Sequence, residues 1–162
     1  MEHVVGIPTT EAVDSFLQEL AAIGEHHGSI VQAFDPRYCA GLHHLETALD
    51  YARRAHKRGE GIADDLAMEV LLYAAGTRQI EQALTIGMQS PDEPVLIICG
   101  EGNEQCAHTE ARKLLDTGEA TWTPNDALIM NWFDITEEER EATTVSLEAL
   151  VVERVALLEI AK

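Results

Sequence analysis

LAMEVLLYAAGTRQIEQAL, residues 66–84, decides how the rest of the chain is read. Its first ten residues are apolar on most sides, the mark of a helix inside a core rather than on its surface. The spacing predicts a helix over 63–75, ended by Gly76, with Thr77 capping a second helix. A buried helix needs other elements to cover it. The apolar or alternating segments elsewhere then become candidate strands and helices around it.

Working outward, residues 3–7 read as a short strand closed by Pro8, with Thr9 or Thr10 capping a helix over 11–23 and a loop over 24–28. A second strand spans 29–34 and stops at Asp35-Pro36, where proline cannot continue a ladder. Leu42, Leu45, Leu49 and Ala52 recur at helical spacing, so a helix follows, ending near Gly59 and Gly61. Residues 95–99, VLIIC, suit a central strand, followed by a helix over 104–115 and a possible last strand over 119–123. Thr123-Pro124-Asn125-Asp126 opens a helix to Phe133. Thr136 and Glu139 form a capping box for another, and a last helix covers 145–160. The sum is an α+β fold with a small, mostly antiparallel sheet of about four strands packed by about seven helices. With 162 residues, one domain spanning 1–162 is expected.

Composition narrows function. The chain carries 29 acidic and 11 basic residues, a formal charge of −18, with lysine used three times. Such a surface repels nucleic acid on average and suits a salt-rich cytoplasm. No apolar run approaches the roughly 20 residues of a membrane span, so no membrane partner is expected. Met1-Glu2-His3 does not start like an export signal. Cys39, Cys99 and Cys106 form no even framework and fit reduced thiols, so the expected location is cytoplasmic. Charge is partitioned, however. Arg37, Arg53, Arg54, Lys57 and Arg58 stand against only Glu46 and Asp50 between residues 37 and 58. Their plain reading is a solvated helix face with pairs such as Asp50–Arg54.

Candidate chemistry is sparse. His26-His27, His43-His44 and Cys39 lack zinc-site spacing, so no metal is expected. Gly100-Glu101-Gly102-Asn103 sits between strand and helix, but lacks the third glycine of a dinucleotide loop and carries carboxylates where phosphates would lie. It reads as a filled turn; the alternative is a small nucleotide-binding protein or enzyme using that turn with Cys99 or Cys106. Arg78 is the better candidate. Arginine in a first helical turn opposes the helix dipole, and the conflict is relieved by a bound phosphate or by a nearby carboxylate. Backbone N–H groups, Thr77, Arg78 and Gln79 together suit a phosphate.

Four motifs in order then carry a resemblance: QAFD (32–35), GLHH (41–44), MEVLLYAAGTRQI (68–80) and ERVALLEI (153–160). Together they resemble the small kinase-binding subunit of the KEOPS complex, the TPRKB family, in its archaeal type. The resemblance implies an accessory subunit with no catalysis and no cofactor, in an assembly that makes threonylcarbamoyladenosine in tRNA. It implies binding to the amino-terminal lobe of that complex's small atypical kinase, indirect contact with the other KEOPS subunits, and a grip on the single-stranded 3′ end of tRNA. Carried over, Gly76, Thr77, Arg78 and Gln79 match the nucleotide-gripping turn. Charge adds Arg53, Lys57 and Arg58 as an approach surface for tRNA. Val151, Val155, Leu158 and Ile160 on the last helix are the candidate kinase contacts. A scaffold that binds the kinase and ignores RNA is the remaining alternative.

Overall fold

A computed structural model describes residues 1–161, which form two compact units. Met1–Pro36 and Gly87–Trp122 make the first; Arg37–Ile86 and the chain from Thr123 onward make the second.

The first unit is a four-stranded antiparallel sheet with two helices. Strands β1 (Glu2–Pro8), β2 (Ile30–Phe34), β3 (Val95–Gly100) and β4 (Leu115–Asp116) lie in the order β2-β3-β1-β4. The VLIIC run is the core strand expected of it, since β3 pairs on both sides and every residue in it is buried. Helices α1 (Val13–His27) and α5 (Glu104–Arg112) cover one face. Val95, Ile97 and Cys99 point there at the period of two that a strand imposes, joined by Val4, Val31 and Ala33 and packed against Phe16, Leu20, Ala107 and Ala111. Burying each large apolar side chain contributes roughly 1.5–3 kcal/mol.

Several boundaries differ from expectation. Helix α1 starts at Val13 without a side-chain cap and runs on through His26-His27, which the sequence assigned to a loop. Thr9, expected as a cap, instead donates its hydroxyl to the carbonyl of Leu114, 3.0 Å away. The last strand is Leu115–Asp116, not 119–123. Gly118 donates its N–H to Asp116 Oδ1 at 3.1 Å, a local turn that ends the ladder before the expected strand begins.

The Gly100–Asn103 turn is filled. Ser29 donates to the carbonyls of Gly100 and Glu101, and Asn103 donates its N–H to the carbonyl of His27. Gly102 has φ 55°, and a Cβ there would lie 2.2 Å from the Gly28 carbonyl oxygen. Backbone strain and a clash with backbone then add, so Gly102→Ala should lower stability by roughly 2 kcal/mol. A urea midpoint unchanged from wild type would contradict this packing.

The second unit is helical: α2 (Leu42–Lys57), α3 (Leu66–Ala75), the single-turn α4 (Ile80–Ala83), α6 (Asp126–Phe133), α7 (Glu137–Ala142) and α8 (Leu147–Ala161). Helix α3 is the core helix expected, buried from Glu69 to Ala75. The buried line of α2 keeps Leu45 and Ala52 of the expected stripe but not Leu42 or Leu49. It is His44, Leu45, Ala48, Ala52 and Ala55, whereas Leu42 is 40% exposed and Leu49 half-buried. Small side chains let α2 come close to α3, which a hydropathy pattern does not rank above leucine. Asn125, rather than Thr123, caps α6 by accepting from Leu128 N–H at 3.1 Å. Thr136 caps α7 as expected, but the Glu139 half of the box is diverted into a bidentate pair with Arg154 at 2.7 and 2.9 Å.

Candidate functional site

The end of α3 sets the geometry of the site. A helix leaves its last four carbonyls without helical partners, which is costly in a buried setting. All four are satisfied here. Thr77 N–H donates to Leu72 O (3.2 Å) and Gly76 N–H to Tyr73 O (3.0 Å), the paired bonds of a Schellman closure. His44 Nε2 bonds Ala74 O at 2.8 Å, and the Trp132 indole donates to Ala75 O at 2.9 Å. Gly76 sits at φ 66°, the left-handed conformation this closure demands. The turn beyond is thereby anchored to the core.

Thr77 Oγ1 accepts from Gln79 N–H at 3.1 Å and donates to Gln82 Oε1 at 3.0 Å. Arg78 is the apex of this turn and is exposed. Helix α4 begins at Ile80, with Gln79 at its cap position, so Arg78 precedes the helix rather than lying in its first turn. The dipole conflict inferred from sequence therefore does not arise, and Thr77 shapes the turn instead of capping the helix.

Arg78 lines an open cavity of about 540 Å³ with Glu60, Gly61, Ile62 and Glu159. The cavity is mixed in charge. Arg58 donates to Glu60 at 2.9 Å and to Glu159 at 2.5 Å, and Tyr73 donates its hydroxyl to Glu159 as well. Burial and that carboxylate push the Tyr73 phenol well above its ordinary range, so it stays a donor. The loop carrying Glu60 is pinned from below. Buried Glu69 accepts the N–H groups of Ile62 (2.9 Å) and Ala63 (2.6 Å), and His56 Nε2 bonds the Ala63 carbonyl at 2.8 Å.

The remaining basic residues are only partly assembled around it. Arg53 and Arg54 both pair with Asp50, at 2.8 and 3.0 Å, the solvated face expected from the sequence. The Arg54 guanidinium also covers the Tyr51 ring at 4.8 Å, and Tyr51 stacks on Tyr73. Lys57 is exposed on the same helix. Of the expected tRNA contacts, only Arg78 is among the residues lining the cavity, while Arg58 reaches its rim through Glu60 and Glu159. Those two carboxylates were not singled out by sequence. Their signal was faint: Glu60 lies between two glycines, and Glu159 inside an apolar helix.

On α8, Val151, Val155 and Leu158 are buried, whereas Ile160 is 80% exposed and Leu157, which the sequence did not single out, is 50% exposed. Cys99 is buried, and desolvation pushes its thiol up to about 12, so it is not a nucleophile at neutral pH. Among the described residues no group of three or more His, Cys, Asp or Glu side chains is placed to hold a metal ion. No helix of the described residues is long and apolar enough to cross a membrane.

A family model described as kinase binding protein CGI-121 matches residues 14–159 of the chain. A comparison with curated proteins found no match.

Proposed function

Because the chain belongs to the CGI-121 family of kinase-binding proteins, we propose that it is a non-catalytic accessory subunit of the KEOPS complex that docks on the complex's small atypical kinase and grips the 3′ end of tRNA. In this reading it works in the cytoplasm as one module over residues 1–162, without a cofactor. It meets the amino-terminal lobe of the kinase directly and the other KEOPS subunits through it.

The observation that carries the RNA half is the position of Arg78, exposed at the apex of a turn anchored to the core and beside an open cavity. A planar guanidinium fork can donate to a phosphate in bidentate fashion and loses less entropy per hydrogen bond than a flexible ammonium. Opposing this are Glu60, Glu159 and an overall charge of −18. Arg58 offsets part of that conflict by pairing with both carboxylates, one positive charge against two negative. Gly76, Thr77 and Gln79 shape the grip, and Arg53 and Lys57 supply a diffuse approach surface for the tRNA backbone.

For the kinase half, burial moves the expected contacts. Val151, Val155 and Leu158 are committed to the core, which leaves Ile160 and adds Leu157 as the apolar residues of α8 that a partner can reach.

The test of the RNA half compares intact tRNA with tRNA trimmed of its 3′ end, on wild type and Arg78→Ala. Trimming or substitution alone should each weaken binding about tenfold, and the two together little more, since both remove one contact. Equal affinity in all four combinations would leave a scaffold that ignores RNA. Glu60→Gln removes an exposed carboxylate from the cavity and should tighten binding a few-fold; weaker binding would show that Glu60 helps rather than opposes the phosphate.

A further inference from the structure

The first unit holds a second cavity, a wide-open surface depression of about 350 Å³, lined by His3, Val4, Val5, Arg112, Thr117 and Trp122 among others. It arises from the topology. Strand β1 pairs with β3 from Glu2 to Gly6, but with β4 only at Ile7 and Pro8, so among the described residues no strand covers its other edge beside His3–Val5. The volume is at the lower end of the roughly 300–1,000 Å³ typical of small-molecule sites.

Its lining is unusual for this chain. On a protein with 29 acidic and 11 basic residues, none of the lining residues is acidic, and two of them, Arg112 and His3, carry or can carry positive charge. Among the described residues no carboxylate is ion-paired with Arg112, in contrast to Arg53, Arg54, Arg58, Arg140 and Arg154. Aromatic surface stands beside it: Trp122 is half-buried and meets the His3 ring edge-on at 5.7 Å. His108 bonds the His3 carbonyl at 3.0 Å and so fixes that edge of the strand. Val4, Val5 and Ala120 are also among the lining residues, Val4 being part of the core beneath.

A guanidinium without a carboxylate partner, beside an indole on an uncovered strand edge, matches a planar heterocycle that carries a phosphate. We propose that this cavity binds a single nucleotide, with its base against Trp122 and its phosphate on Arg112. The ligand is either a free mononucleotide or one unpaired nucleotide of an RNA; the chemistry is shared. The site is independent of the Arg78 turn.

Isothermal titration calorimetry on the full chain tests it, with AMP, adenosine, inorganic phosphate and a short 5′-phosphorylated RNA oligomer as probes. AMP or the oligomer should bind saturably and more tightly than adenosine or phosphate alone, and whichever of the two binds better identifies the source. Arg112→Gln, an exposed substitution, should weaken that binding at least tenfold with the circular dichroism spectrum unchanged, while Arg78→Ala leaves it intact. Absence of saturable binding by both AMP and the oligomer, or equal affinity of wild type and Arg112→Gln, overturns the proposal.

Discussion

Val155→Glu should abolish cooperative folding, while Leu157→Glu, two residues away, should leave the melting curve almost unchanged. Val151, Val155 and Leu158 recur at steps of four and three, one stripe of α8, and are 0, 0 and 5% exposed. A carboxylate placed on that stripe is removed from water among apolar side chains, and the penalty exceeds about 4 kcal/mol. Total stabilities of single domains are about 5–15 kcal/mol, so little or no folded protein is expected. Leu157, half exposed on another side, should tolerate the same change within roughly 0.5 kcal/mol. Thermal melts followed by circular dichroism distinguish the two; a wild-type melt for Val155→Glu would place that stripe outside the core.

The second large effect is a dependence of stability on pH centred on one histidine. His44 is fully buried, and desolvation lowers its pKa to about 4, against smaller opposing contributions from the Ala74 carbonyl and Glu148. Its ring is neutral at pH 7, with Nδ1 accepting from Ala40 N–H at 3.1 Å and Nε2–H donating to Ala74 O. In the unfolded chain the same imidazole protonates near pH 6.5. Between those values the unfolded state binds the extra proton, so stability is fully present above about pH 6.5 and falls as pH drops towards 4. The difference amounts to on the order of 3 kcal/mol, with no further loss below the folded value. His44→Gln keeps a donor for Ala74 O but does not titrate. Urea unfolding at pH 7 and pH 4.5 should show a smaller acid loss for the variant than for wild type, because the carboxylate contributions are common to both. Equal losses would mean that His44 is hydrated or already charged in the native state.

These two residues also show where sequence was legible and where it was not. The end of α3 was readable because Gly76 follows an apolar helix directly, and the closure it makes is local. The central strand was readable because five consecutive apolar residues fit no exposed element. His44 was not, since its partner at Ala74 lies 30 residues away and adjacent histidines look alike in sequence. The α2 face was half legible for a different reason: Leu45 and Ala52 were expected and are buried, but Ala48 and Ala55 rather than Leu42 and Leu49 complete the line, and that choice depends on how close α3 comes. Glu159 was hidden for the same long-range reason, because Tyr73 and Arg58, which hold it, lie 86 and 101 residues away. In the candidate site, the sequence singled out Arg78 on a helix-dipole argument that the start of α4 at Ile80 removes, and the carboxylates that share its cavity belong to tertiary structure alone. On α8 a helix apolar on more than one side does not reveal which stripe is already covered, and so the buried Val151, Val155 and Leu158 were named beside the exposed Ile160, while the exposed Leu157 was passed over.

That pair provides the most direct test of the central claim, that this family member docks on its kinase through the exposed apolar residues of α8. The measurement is the affinity of the purified kinase subunit for wild type and for the Leu157→Glu, Ile160→Glu double variant, after confirming equal melting temperatures. The account predicts at least a tenfold loss of affinity with the fold intact. Undiminished binding by a folded double variant would contradict it.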